Sequence, residues 1–134
     1  MEKTKTNNVA QLSLPALNMS AISRLVIYHV DADISTPIPI LPGELEYLDI
    51  AKRIETKNPH DFVAAHKALC ESKAFPDPEG SIDARWSVHF IDKSDNVFLS
   101  IDVDRFGVQG VIDRVLVYFS SSEFHRWLEA RYAK

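Results

Sequence analysis

The clearest periodic signal in the chain lies between Ile82 and Tyr132. Trp86, Val88 and Phe90 alternate with Arg85, Ser87, His89 and Ile91, the period-two pattern of a strand with one buried face. After the polar break Asp92–Asn96, a second alternation sets Val97, Leu99, Ile101 and Val103 against Phe98, Ser100, Asp102 and Asp104. A short loop of turn formers between two such runs predicts a hairpin. Gly107 and Gly110 bracket the next connection. The run VIDRVLVYF then predicts one further strand, with Val111, Val115, Val117 and Phe119 on one face and Ile112, Leu116 and Tyr118 on the other. Apolar residues on both faces predict a strand covered on both sides. Ser120 through Glu123 fit a capping box, in which a serine accepts from a helical amide and the glutamate reaches back. Phe124, Trp127, Leu128 and Arg131/Tyr132 follow at helical spacing, so a terminal helix should dock an aromatic stripe on the sheet.

Upstream, Ile22 to Asp33 reads as a first strand, with Ile22, Val26, Tyr28 and Val30 against Leu25, Ile27 and His29. Pro37, Pro39 and Pro42 exclude a central strand between Ser35 and Pro42, because proline lacks the amide donor and fixes φ. That stretch reads as an edge-like extended connection. Pro42, Glu44 and Glu46 then predict a helix to about Arg53, with Leu45 and Leu48 inward; a short strand ending near Thr56 is the competing reading. Asn58-Pro59-His60-Asp61 is a sharper signal, an asparagine cap followed by proline and a first-turn acid. The helix it opens should run to about Lys73 and carry Phe62, Ala65, His66, Leu69 and Cys70, with Cys70 a small buried thiol. Ala74 to Gly80 reads as a loop. The whole predicts an α+β domain: an antiparallel sheet of about four strands with two to three helices packed on one face.

At 134 residues the chain suffices for one domain over residues 19–134, with residues 1–18 expected to be mobile because Leu12, Leu14 and Leu17 are their main apolar hooks. One cysteine excludes an intramolecular disulfide, and five histidines without paired cysteines give no structural zinc spacing. A net charge of −4 without a basic cluster argues against nucleic acid. No apolar run predicts a signal peptide or a membrane span, so a cytoplasmic location is expected.

Candidate chemistry is sparse. His29, Asp31 and Asp33 alternate at the end of the first strand and could in principle hold a divalent ion, but acids at a strand end are more simply solvated. Asp102 and Asp104, near Arg105, Asp113 and Arg114, could form a carboxylate pair for acid–base work. The simpler expectation is a solvent-facing charge ladder. No phosphate loop, nucleophile elbow or dinucleotide fingerprint is present. The expectation is therefore of no catalytic residues, no metal and no cofactor. The leading functional reading is a small acidic protein-binding module, such as an immunity protein or antitoxin that masks a basic partner, with a homodimer left open. Its surface would draw on Asp31, Asp33, Asp77, Glu79, Asp92, Asp95, Asp102 and Asp104. The alternative is a small-molecule binder or enzyme with a pocket between sheet and helices, using His29, His89, Asp102 or Asp104.

Overall fold

The computed structural model describes residues 11–12, 18–31, 33–36 and 38–133. The segment expected to be mobile falls almost wholly outside them. The described residues build one seven-stranded, fully antiparallel sheet with two α-helices. In chain order these are β1 (Ile22–His29), β2 (Lys52–Thr56), α1 (Pro59–Glu71), β3 (Lys73–Pro76), β4 (Ala84–Asp92), β5 (Val97–Asp104), β6 (Gln109–Ile112), β7 (Val115–Ser121) and α2 (Glu123–Tyr132). The spatial order is β2-β1-β4-β5-β6-β7-β3. The two strands flanking α1 thus lie at opposite edges, and α1 carries the chain across one face of the sheet.

The expectation of about four strands is corrected to seven, and each addition has a physical cause. The run from Val111 to Phe119 is two strands, because Asp113 and Arg114 both adopt positive φ (49° and 76°) and reverse the chain, pairing Ile112 with Val115. Two consecutive residues of this kind make the turn whose twist suits a hairpin. Ala74–Pro76, expected as loop, joins Lys73 in a strand that pairs with β7 and ends at a proline, which an edge position tolerates. Leu12 N–H donates to Ala74 O at 2.7 Å on the far side of that strand. The expected helix to Arg53 reduces to a single 3-10 turn at Leu45–Tyr47, and Lys52–Thr56 is the edge strand β2. Its exposed Lys52, Arg53 and Glu55 put charge on that edge, which discourages sheet extension.

The helices form where their caps specify. Asn58 Oδ1 accepts from His60 N at 3.0 Å with Pro59 opening α1, and Ser122, rather than Ser120, caps α2 by accepting from His125 N. α1 stops at Glu71, short of Lys73, where Ser72 Oγ donates to Ala68 O and accepts from Phe124 N, each at 3.0 Å. One buried hydroxyl thereby ties the end of α1 to the start of α2. Cys70, expected to be buried, is exposed.

Phe62, Ala65, Ala68 and Leu69 of α1 and Phe124 and Leu128 of α2 pack on Leu25, Ile27, Trp86, Val88, Phe90, Leu99, Ile101, Val103, Val117 and Phe119. This is the main core, and both helices lie on this one face. Gly110 makes room for it: a Cβ there would meet the Phe119 ring at 2.6 Å and Asp102 O at 2.8 Å. A second, smaller core of Val30, Ile40, Leu45, Ile82, Ala84 and Val111 lies apart from the first. It forms where the described residues of the segment 30–51, here called the strap, cover the opposite face of the sheet.

Candidate functional site

The strap is held by the residues it covers. Arg85, fully buried on β4, donates to the backbone oxygens of Asp31 and Ile34 and, through Nη2, to Asp83 Oδ2 at 3.1 Å. Asp83 Oδ1 in turn accepts from Ile40 N at 2.8 Å, and Ile40 O accepts from Ala84 N at 2.8 Å. Arg85 and Ile40 hold the carboxyl of Asp83 below its ordinary range against the opposing effect of burial, which is the largest single influence on it. Leu41 N–H donates to Glu44 Oε1 at 2.9 Å, closing the turn after Pro42, and Leu45 plugs the second core. Backbone groups of Asp31, Ile34, Ile40 and Leu41 are thereby paired outside the strand ladder.

Beneath it lies a buried polar row. Ser87 of β4 stands opposite Asp102 of β5, and Tyr28 of β1 stands opposite Ser87. Ser87 Oγ and His89 Nε2 are 3.4 Å apart, Glu46 Oε1 reaches to 3.7 Å of the same nitrogen, and the Tyr28 and His89 rings meet edge to face. Asp102 is 5% exposed and its Oδ1 has no hydrogen-bond partner. Burial pushes its carboxyl up to about 6, with the facing Ser87 hydroxyl and Gly43 amide pulling the other way and Glu46 adding to the rise. Burial likewise lowers His89, with Glu46 opposing. Serine and glutamate both face Nε2 of His89, so the set lacks the arrangement in which an acid orients the imidazole from Nδ1 while Nε2 serves a nucleophile.

The structure distributes the eight acids expected to form a binding surface. Asp102 is not a solvent-facing rung: the strap covers it. Asp104 organises the β5–β6 loop, its carboxylate accepting from Phe106, Val108 and Gln109 amides at 3.2, 2.9 and 3.2 Å. Asp92 does the same for the β4–β5 turn, accepting from Ser94 and Asn96 at 2.9 Å each, and Asp95 pairs with Arg24 at 2.7 Å. Asp77 lies near Gln109 Nε2 at 3.4 Å and Glu79 is exposed in the following turn. Asp92 and Asp104 close opposite ends of the β4–β5 ladder, about 26 Å apart at the ~3.3 Å rise of a strand residue. Asp31 and Asp33 begin the strap. Asp31 stands 3.5 Å from Lys52 and 3.6 Å from His29 Nδ1, and Asp33 is exposed. Burial lowers His29, whose ring stacks on Trp86 at 3.7 Å between centroids. Among the described residues no three His, Cys, Asp or Glu side chains converge as metal ligands.

Sequence reasoning missed the strap itself. Ile38, Leu41, Tyr47 and Ile50 are 72, 54, 78 and 48% exposed, which gathers four of the large exposed apolar residues in one segment. Residues 31–51 also hold Asp31, Asp33, Glu44, Glu46 and Asp49 with no lysine, arginine or histidine, more negative charge than the −4 of the whole chain. That signal is readable in the sequence, but a proline-rich stretch invites reading as a mere connection. Beside the strap runs an apolar groove of about 530 Å³, walled by Pro39, Leu41 and Pro42 on one side and by Ile82, Val111 and Leu116 on the other, with Arg114 at its rim. The alternative reading expected a pocket between sheet and helices; this groove is on the strap side.

The chain matches no protein-family model, no curated protein and no solved structure. Among the described residues no helix is long and apolar enough to cross a membrane.

Proposed function

We propose that the protein is a protein-binding module of the masking kind exemplified by immunity proteins and antitoxins, and that it engages a basic partner through the strap. The observation that carries this reading is the composition of the strap: Ile38, Leu41, Tyr47 and Ile50 exposed, interleaved with carboxylates in a segment without a basic residue, Lys52 of β2 pairing with Asp31 at its start. Exposed apolar side chains concentrated in one segment mark interaction surfaces, and an aromatic such as Tyr47 is a frequent energetic centre of one. The carboxylates supply attraction toward a basic surface and exclude acidic ones. Relative to the sequence expectation, the surface contracts to Asp31 and Asp33 and gains Glu44, Glu46 and Asp49. The acids that cap turns serve the fold.

The test is capture of partners on the immobilised protein at low and high salt, followed by binding of the purified partner to variants. Ile38→Ser with Tyr47→Ser should weaken binding about tenfold or more. Asp33→Lys with Asp49→Lys should slow association most at low salt. Asp95→Asn, at the far end of the β4–β5 ladder, should leave affinity within about threefold. A partner that binds the Ser double variant as well as the wild type would exclude the strap as the surface, and absence of any saturable basic partner would overturn the reading.

A further inference from the structure

The groove beside the strap is chemically unlike the strap surface. Its walls are proline and aliphatic side chains together with Ser81, and the one ionisable residue among those lining it is Arg114. Arg114 is exposed, enters no ion pair among the described residues, and sits at positive φ in the tight turn between β6 and β7. The two-residue turn fixes the backbone from which the guanidinium reaches the groove. The opposite wall is equally fixed, because Ile40 is bonded on both its amide and its carbonyl and Leu41 N–H is bonded to Glu44. The strap carboxylates do not line the groove: Glu44 is turned back onto Leu41 N and Glu46 points to His89. A preformed apolar concavity of about 530 Å³ with a single charged group at its mouth lies within the size range of small-molecule sites.

We propose that this groove binds an amphiphilic monocarboxylate, with its apolar body along Pro39, Leu41, Pro42 and Leu116 and its carboxylate paired with the Arg114 guanidinium. Apolar walls offer nothing to a polar body, which would lose its water without replacement. A guanidinium offers a planar fork that matches a carboxylate and repels an ammonium. This site shares Leu41 with the partner surface, but its charged group and its other wall come from the β6–β7 hairpin and from Ile82, outside the strap.

The experiment compares decanoate, decyl alcohol and decylamine, each below its micelle or solubility limit, titrated into the full chain. Calorimetry gives affinity and amide chemical shifts give location. The expected result is saturable decanoate binding with shifts at Ser81, Ile82, Val111, Arg114 and Leu116, and decylamine weaker than decanoate by about tenfold. In Arg114→Gln, decanoate should lose about fivefold and converge on the alcohol, whose own affinity should not move. Decylamine binding as well as decanoate, equal loss of acid and alcohol in Arg114→Gln, or shifts confined to other residues would overturn the proposal. So would the absence of saturable binding by all three.

Discussion

The two faces of the sheet solve the same problem with different means. The helix face is closed by aliphatic and aromatic side chains of α1 and α2, among which Trp86 Nε1 donates to Glu129 Oε2 at 3.0 Å while His125 Nε2 and Tyr132 OH of α2 have no hydrogen-bond partner among the described residues. The strap face is closed by an irregular segment over a polar row, and it leaves Asp102 Oδ1 without a partner. A dry interface of regular elements yields stability, because close-packed apolar burial needs no partner-by-partner matching. An irregular cover over buried polar groups gives up some stability and leaves a surface free to carry chemistry. The strap face is therefore where recognition is proposed, and the helix face is where the fold is secured.

The comparison predicts unequal costs for deleting a plug from each face. Phe124→Ala, at the centre of the helix face, should lower unfolding free energy by about 3–5 kcal/mol and raise hydrogen exchange throughout β4 and β5. Leu45→Ala should cost about 2–3 kcal/mol, with faster exchange confined to the strap and to the amides it covers. Denaturant unfolding with residue-resolved exchange reads both. Global destabilisation by Leu45→Ala equal to that of Phe124→Ala would break the contrast and make the strap part of the main cooperative unit.

Asp102 sharpens the same contrast through pH. Its carboxyl is held at about 6 in the folded protein against 3.8 for the ordinary group, so folding takes up a proton between those values. The favourable contribution is complete below the unfolded value and is lost as pH rises through the folded one. Asp102→Asn should therefore stabilise the protein most near pH 8, on the order of 1–2 kcal/mol, and least near pH 4. The full linkage is about 3 kcal/mol, and the amide recovers part of it because it remains a buried polar group. His89 has the opposite sign, since burial lowers it and its protonation below neutral pH disfavours the fold. The difference between wild type and Asp102→Asn across pH isolates the carboxylate, and a pH-independent difference would show that Asp102 ionises as freely as a surface acid.

What the residues disclosed and what they hid follow one rule. The β4–β5 hairpin was legible because its alternation and its turn agree, and α1 because Asn58 and Pro59 define its start locally. The turn at Asp113–Arg114 was hidden because the apolar pattern runs through it and neither residue is a glycine, although aspartate tolerates the left-handed region. Strand β3 was hidden because Lys73–Pro76 is short and its identity depends on β7, many residues away. The burial of Asp102 was hidden for a related reason. Alternation tells which residues share a face, but the strap that covers this face comes from a distant part of the chain. Of the expected site, Asp31 and Asp33 belong to the segment now proposed, while the acids that cap turns could not be told from binding acids without their amide partners.

The smallest effect concerns what fastens the strap. Glu46 of the strap faces His89 at 3.7 Å, and the glutamate is about one-third exposed, so a screened contact of this length should contribute little. Glu46→Gln should change unfolding free energy by under about 0.5 kcal/mol and leave strap hydrogen exchange as in the wild type, while Leu45→Ala accelerates it. The physical reason is that a plug buried in the second core removes apolar area from water, whereas the carboxylate exchanges one well-solvated setting for another. Strap exchange that quickens as much in Glu46→Gln as in Leu45→Ala would reverse this order. The strap would then be an ionic latch, and the two faces would differ in the kind of force that closes them as well as in its strength.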